Sequence, residues 1–182
     1  MPFNARWIET PDDWQCVSCR RLKAEITRPD KSGQPFGQLH YHHDHMADFT
    51  KDRLKELFGP DWAHHAEQAH PGADYFRTSA DRLLSRFPDS LICMDCNTAD
   101  GNVKAKLGLD PYFTFAPNEI RRFCRIGGGR AHALILEAAK SIYDEQVPML
   151  DERKRLAEKL AQRIVDGRFW TAGVSFEHGF LS

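Results

Sequence analysis

The sequence contains no apolar run near the ~20 residues needed to cross a bilayer, no internal repeat and no low-complexity segment. Transmembrane-helix and solenoid architectures are excluded on that ground. The opening residues Met1-Pro2-Phe3-Asn4-Ala5-Arg6 lack an apolar core and a small-residue cleavage site. A secretory leader is therefore not expected, and a cytoplasmic address is. The formal net charge is only −1, so there is no overall basic signal for nucleic acid. Gly127-Gly128-Gly129 has no strand before it and no Lys-Ser/Thr after it, which makes it a hinge or turn rather than a phosphate loop. No His-Glu-x-x-His helix appears, which argues against a zinc hydrolase acting on a small substrate.

What is present fits a folded domain, alone or with an appendage. Apolar residues make up 41% and charged residues 28% of 182, enough of the first to build a core. Charge is unevenly placed. Residues 101–136 hold two acids against six bases, Lys104, Lys106, Arg121, Arg122, Arg125 and Arg130. A basic surface that a phosphate backbone could follow is one reading of that stretch, and a solvated helix face is the other.

In a reducing compartment cysteine pairs favour metal over disulfide. Cys16 and Cys19 form one Cys-x-x-Cys, and Cys93 and Cys96 form another. Four thiolates suit tetrahedral Zn²⁺, and each two-residue gap lets a single turn present both sulfurs to one ion. The site expected from this spacing is a structural zinc that clamps two distant segments. A redox dithiol is the weaker alternative, because no βαβ pattern surrounds either pair. Cys124 remains as a small core residue.

Between the two pairs lies His40-Tyr41-His42-His43-Asp44-His45, four imidazoles and a carboxylate within six residues. Buried and unpaired, such a cluster would be costly. His64, His65 and His70 have no partner at a known ligand spacing and are expected to be loop histidines.

Period and punctuation give the remaining elements. Residues 39–44 read as a strand. Thr50 should cap a short helix carrying Leu54, Leu57 and Phe58, stopped by Gly59-Pro60. Residues 60–77 read as a polar loop, and a second helix is expected over 79–87. Ser90-Leu91-Ile92 should be a strand delivering Cys93, with a helix from Cys96 to about Leu107. Pro117 suits a first helical turn leading to Ile120, Phe123 and Cys124. Helices near 131–147 and 151–166, separated by Pro148, read as an antiparallel hairpin and a candidate dimer surface. Phe169, Trp170, Phe176 and Phe180 suggest a docked terminal strand. Trp7 and Trp14 are expected to cover the core edge rather than stack on bases.

The His40–His45 run, followed by Leu91-Ile92-Cys93-Met94-Asp95-Cys96-Asn97-Thr98-Ala99-Asp100-Gly101, resembles the phage recombination endonuclease VII group of HNH, or His-Me finger, nucleases. The hallmark of that group is approximately His-x-Asp-His-Asp-His, then Leu-Cys-x-x-Cys-Asn-x-x-x-Gly, with an upstream Cys-x-x-Cys. About a third of the chain is covered. The resemblance implies an α+β fold: a zinc-stabilised ββα-metal core over residues 1–110, interrupted by a helical insertion at 46–92. Residues 111–182 would then be a mainly helical region carrying the hairpin, for dimerisation to a homodimer or for DNA binding.

It further implies a metal-dependent endonuclease that hydrolyses DNA phosphodiester bonds. In that scheme His42, Asn97 and Asp100 hold a catalytic Mg²⁺ or Mn²⁺, His43 activates water, and His45 contacts phosphate or the leaving group. Cys16, Cys19, Cys93 and Cys96 hold the zinc. The chain has His42 where the group usually has Asp, and strand periodicity leaves open a register two residues on, with Asp44 as ligand and His45 as base. The chemistry is coherent on its own terms: imidazole titrates near neutrality and suits a general base. A non-catalytic zinc-stabilised module that binds DNA or protein is the alternative function.

Overall fold

The computed structural model describes residues 3–127 and 131–168. Along the chain its elements are α1 (Ala5–Glu9), α2 (Lys23–Ile26), β1 (Arg28–Pro29), β2 (Pro35–Phe36), β3 (Leu39–His42), α3 (Met46–Phe58), α4 (Trp62–Ala69), α5 (Ala73–Leu84), β4 (Ser90–Cys93), α6 (Met94–Leu107), α7 (Pro117–Phe123), β5 (Cys124–Arg125), β6 (Ala133–Leu134) and α8 (Leu136–Val165). The strands form three small antiparallel pairs, β1-β2, β3-β4 and β5-β6. The fold is thus a mixture of helices and small sheets. Among the described residues no helix is long and apolar enough to cross a membrane. The expected terminal strand with Phe169, Trp170, Phe176 and Phe180, and the hinge at Gly128-Gly129, lie outside the described residues.

The chain divides into two units. One comprises Met1–Asp44 and Arg86–Val147, the other His45–Ser85 and Pro148–Ser182. Most of the sequence range expected to be an insertion, residues 46–92, falls in the second.

In the first unit, Asn4 caps α1. Its Oδ1 accepts from Trp7 N–H at 3.0 Å while its Nδ2 donates to Leu39 O at 2.7 Å, so the same side chain fixes the start of β3. Lys23 Nζ donates to Trp7 O at 2.7 Å and Thr10 O at 2.8 Å, satisfying carbonyls at the far end of α1. Trp7 is buried and Trp14 half-buried, as expected for residues that seal the core. Strands β3 and β4 pair from Leu39↔Cys93 to His42↔Ser90, and α6 starts directly after β4 and packs on both strands. Cys96, Ala99 and Val103 form its buried stripe. Gly108, at φ +60°, ends it in the left-handed conformation that glycine adopts without a steric penalty. Phe113, Phe115 and Phe123 fill the core, with neighbouring rings edge-on at 4.8 Å.

In the second unit, α3 buries Met46, Thr50 and Leu54 at i, i+4, i+8. Thr50 is not its cap. The helix begins at Met46, and the Thr50 hydroxyl donates to Met46 O at 3.2 Å. Leu57 is exposed. Residues 62–69, expected as loop, are helix α4, whose single buried residue, Ala66, leaves no apolar stripe to read. Helix α5 runs over 73–84 rather than 79–87 and buries Phe76, Ala80 and Leu84. Arg153 Nε donates to Leu84 O at 2.6 Å, supplying an end carbonyl of α5 with a partner.

The expected helical hairpin is absent. Residues 136–165 form one helix with Pro148 inside it. Pro148 cannot donate to a carbonyl one turn back. The helix carries on because strong helix formers flank the proline and both flanks have buried positions, Ile142 before it and Leu150 after it.

Candidate metal centre and the histidine strand

The turn at Cys16-Val17-Ser18-Cys19 is closed by Arg20 N–H to Cys16 O at 2.8 Å and Cys16 N–H to Arg21 O at 3.0 Å. Arg20 sits at φ +65°, a left-handed position that costs a non-glycine residue about 1 kcal/mol. The second pair arrives differently: Cys93 ends β4 and Cys96 lies in the first turn of α6. All four thiols are buried, and their sulfurs lie within 4.8 Å of one another.

Cys16 Sγ is 3.9 Å from Cys96 Sγ, and Cys19 Sγ is 3.7 Å from Cys93 Sγ. A tetrahedral zinc with bonds of about 2.3 Å has sulfur–sulfur edges of about 3.8 Å. The four-cysteine cluster could therefore hold a metal such as zinc. Acidity within the cluster is unequal. Cys19 is pulled well below the ordinary thiol range by its contacts with Cys16, Cys93 and Cys96. Cys93 and Cys96 are pushed above it by the neighbouring Cys16 and Cys19. Cys16 settles at about 7, where the opposing contact from Cys19 is outweighed by those from Cys93 and Cys96. Negative charge on one pair thus resists charge on the other, and a divalent cation among them would relieve that conflict.

Around the sulfurs lies a shell that the cysteine spacing does not announce. Arg21, 5% exposed, directs Nε to Cys19 Sγ at 3.4 Å and Nη2 to Cys93 Sγ at 3.7 Å. Its Nη2 also pairs with Asp95 Oδ2 at 2.7 Å, and Arg28 takes the other oxygen of Asp95 at 2.6 Å. Cys93 N–H donates to Cys16 Sγ at 3.4 Å, and His132 Nε2 lies 3.3 Å from Cys96 Sγ. The available signal was the placement of Arg21 and Asp95, one beside the first cysteine pair and one inside the second. Cys124 is buried outside the cluster, and burial pushes its thiol up to about 12.

The histidine run leaves β3 with alternating fates. His40 is half-buried, and burial together with the charge of Arg6 holds its imidazole below the usual range. Tyr41 is exposed under the Arg6 guanidinium, 4.7 Å from the ring centroid. His42, 3% exposed, places Nε2 2.7 Å from Phe115 O and stacks on Phe87 at 5.5 Å. His43 is exposed just past the strand. Asp44 is buried and accepts from Arg86 N–H at 2.9 Å. His45 is the N-cap residue of α3 and opens the second unit.

On α6, Asn97 is half-buried and Asp100 lies one turn further along the same face. Asp100, 5% exposed, accepts from Phe115 N–H at 3.0 Å through Oδ1 and pairs with Lys104 Nζ at 2.9 Å through Oδ2. The backbone of Phe115 therefore joins the strand that carries His42 to the helix face that carries Asp100. Phe115 contributes main-chain atoms, which no side-chain pattern announces.

Two further histidines among the described residues are bonded to backbone. His65 Nδ1 meets Phe58 O at 3.1 Å, and His70 Nε2 meets Val165 O at 3.0 Å. No protein-family model, no curated protein and no solved structure matches the chain.

Proposed function

We propose that this protein is a metal-dependent endonuclease that hydrolyses DNA phosphodiester bonds, with a ββα core like that of the endonuclease VII group. The observation that carries the reading is the meeting of β3 and α6 at Phe115: His42 takes its carbonyl and Asp100 its N–H, and α6 also carries Cys96 of the buried four-cysteine cluster. The antiparallel β3–β4 pair, with α6 directly after β4, supports this reading.

In this reading zinc on Cys16, Cys19, Cys93 and Cys96 is structural. It ties the N-terminal turn to the β4–α6 junction. His42 and Asn97 hold a Mg²⁺ or Mn²⁺, which when bound supplies positive charge for the scissile phosphate and the departing 3′ oxygen. The donor set suits such an ion, since one imidazole nitrogen and one amide oxygen leave several positions for water. His43 takes the proton from the attacking water, a task suited to an exposed imidazole. Arg121, Arg122 and Arg125, all exposed, offer charge for the DNA backbone.

A cleavage panel tests this. Zinc-loaded protein is incubated with linear, supercoiled, mismatched and four-way DNA in Mg²⁺ or Mn²⁺. Cutting of at least one substrate, stopped by chelating the added cation, is expected. Binding of DNA with no cutting under any condition would instead identify a zinc-stabilised binding module.

A further inference from the structure

Building on the endonuclease reading, we infer that Asp100 is a positioning residue: it holds the Phe115 backbone so that the Phe115 carbonyl fixes the His42 ring and leaves Nδ1 as the nitrogen that takes the cation. The resemblance places Asp100 beside His42 and Asn97 at the cation, and both of its oxygens bond protein groups. One accepts from Phe115 N–H at 3.0 Å, and the other pairs with Lys104 at 2.9 Å. Lys104 is itself anchored on Phe113 O at 3.1 Å.

A carbonyl oxygen only accepts hydrogen bonds, so the 2.7 Å contact from His42 Nε2 to Phe115 O places the ring hydrogen on Nε2. The neutral ring then keeps its lone pair on Nδ1. Stacking on Phe87, with the ring planes 13° apart, sets the plane in which that lone pair points. The Phe115 ring is fully buried between Phe113 and Phe123, so its backbone is held by the core on one side and by Asp100 on the other. A ring N–H given to a backbone carbonyl is the usual way a ligating histidine is oriented.

Two readouts on the full chain, loaded with zinc, test the inference. Mn²⁺ affinity is measured from the spectrum of the free ion, and the His42 tautomer by long-range ¹⁵N–¹H correlation without Mn²⁺. The wild type should show the Nε2–H form. Asp100→Ala should mix the tautomers and weaken Mn²⁺ binding by about 10–100-fold, whereas Asp100→Asn, which keeps an oxygen for Phe115 N–H, should stay within about 3-fold of wild type.

Equal losses in Asp100→Asn and Asp100→Ala would show that the charge of Asp100 acts on the ion, and would overturn the positioning role. So would an Asp100→Ala protein with unchanged tautomer and affinity. The endonuclease reading fails separately, if His42→Ala leaves Mn²⁺ binding intact. The tautomer in the two Asp100 variants would then still decide what Asp100 does. Retained zinc and an unchanged circular dichroism spectrum identify the variants that have folded.

Discussion

Arg21 and Asp95 form a buried ion pair at 2.7 Å, and the same guanidinium reaches the sulfurs of Cys19 and Cys93. The pair links the turn of the first cysteine motif to the interior of the second. Truncating Arg21 would strand Asp95 with only Arg28 as a partner and leave two thiolates without their donor. Arg21→Ala is therefore expected to cost about 3–5 kcal/mol, the usual penalty for breaking a buried pair from one side. It should also speed the loss of zinc to a chelator. Urea unfolding and a colorimetric chelator assay measure the two effects. Unchanged stability together with an unchanged release rate would show that the cluster does not depend on this shell.

Gly37 faces the indole of Trp7, and a Cβ built there would lie 2.6 Å from the ring. Trp7 cannot retreat easily. It stacks on Phe3 at 5.4 Å and is buried beneath Lys23, whose Nζ lies 5.2 Å from its centroid. Gly37→Ala should destabilise the protein by about 1–3 kcal/mol, the range for forced overpacking. Pairing it with Trp7→Leu should recover part of that loss. A double-mutant cycle by thermal unfolding checks the point, and simple additivity would place the cause elsewhere.

Asp81 is buried on α5, and burial raises its carboxyl above the ordinary value of 3.8 despite the opposing charge of Arg77. The folded protein therefore keeps this proton at a pH where the unfolded chain has lost it. The resulting stabilisation is complete below 3.8 and disappears as pH rises through the folded value. Asp81→Asn cannot titrate. The stability of wild type relative to Asp81→Asn should accordingly fall as pH is raised from below 3.8 to neutrality. Urea midpoints across that window measure it, and a flat or rising difference would contradict the assignment.

Much of the first unit was legible in the sequence for local reasons. Two Cys-x-x-Cys motifs specify a sulfur cluster regardless of what separates them, and Ser90-Leu91-Ile92 could only be a short strand before Cys93. That strand pairs with Leu39–His42, with Leu39 opposite Cys93. Long-range polar contacts were not legible. Nothing in the sequence ties Phe115 to His42 and Asp100, because the atoms involved belong to the main chain. Likewise α4, with Ala66 alone buried, had no stripe to betray it, and Pro148 signalled a break that the surrounding helix overrides.

The most direct measurement is the rate at which zinc-loaded wild type and His43→Ala nick supercoiled plasmid with Mn²⁺ present. His43 is exposed, so its loss should leave fold and zinc content alone. Measurable nicking by wild type is expected, with a rate lower by about 10²-fold or more in the variant. A variant as fast as wild type would contradict His43 as the base, and a wild type that nicks nothing would contradict the nuclease itself.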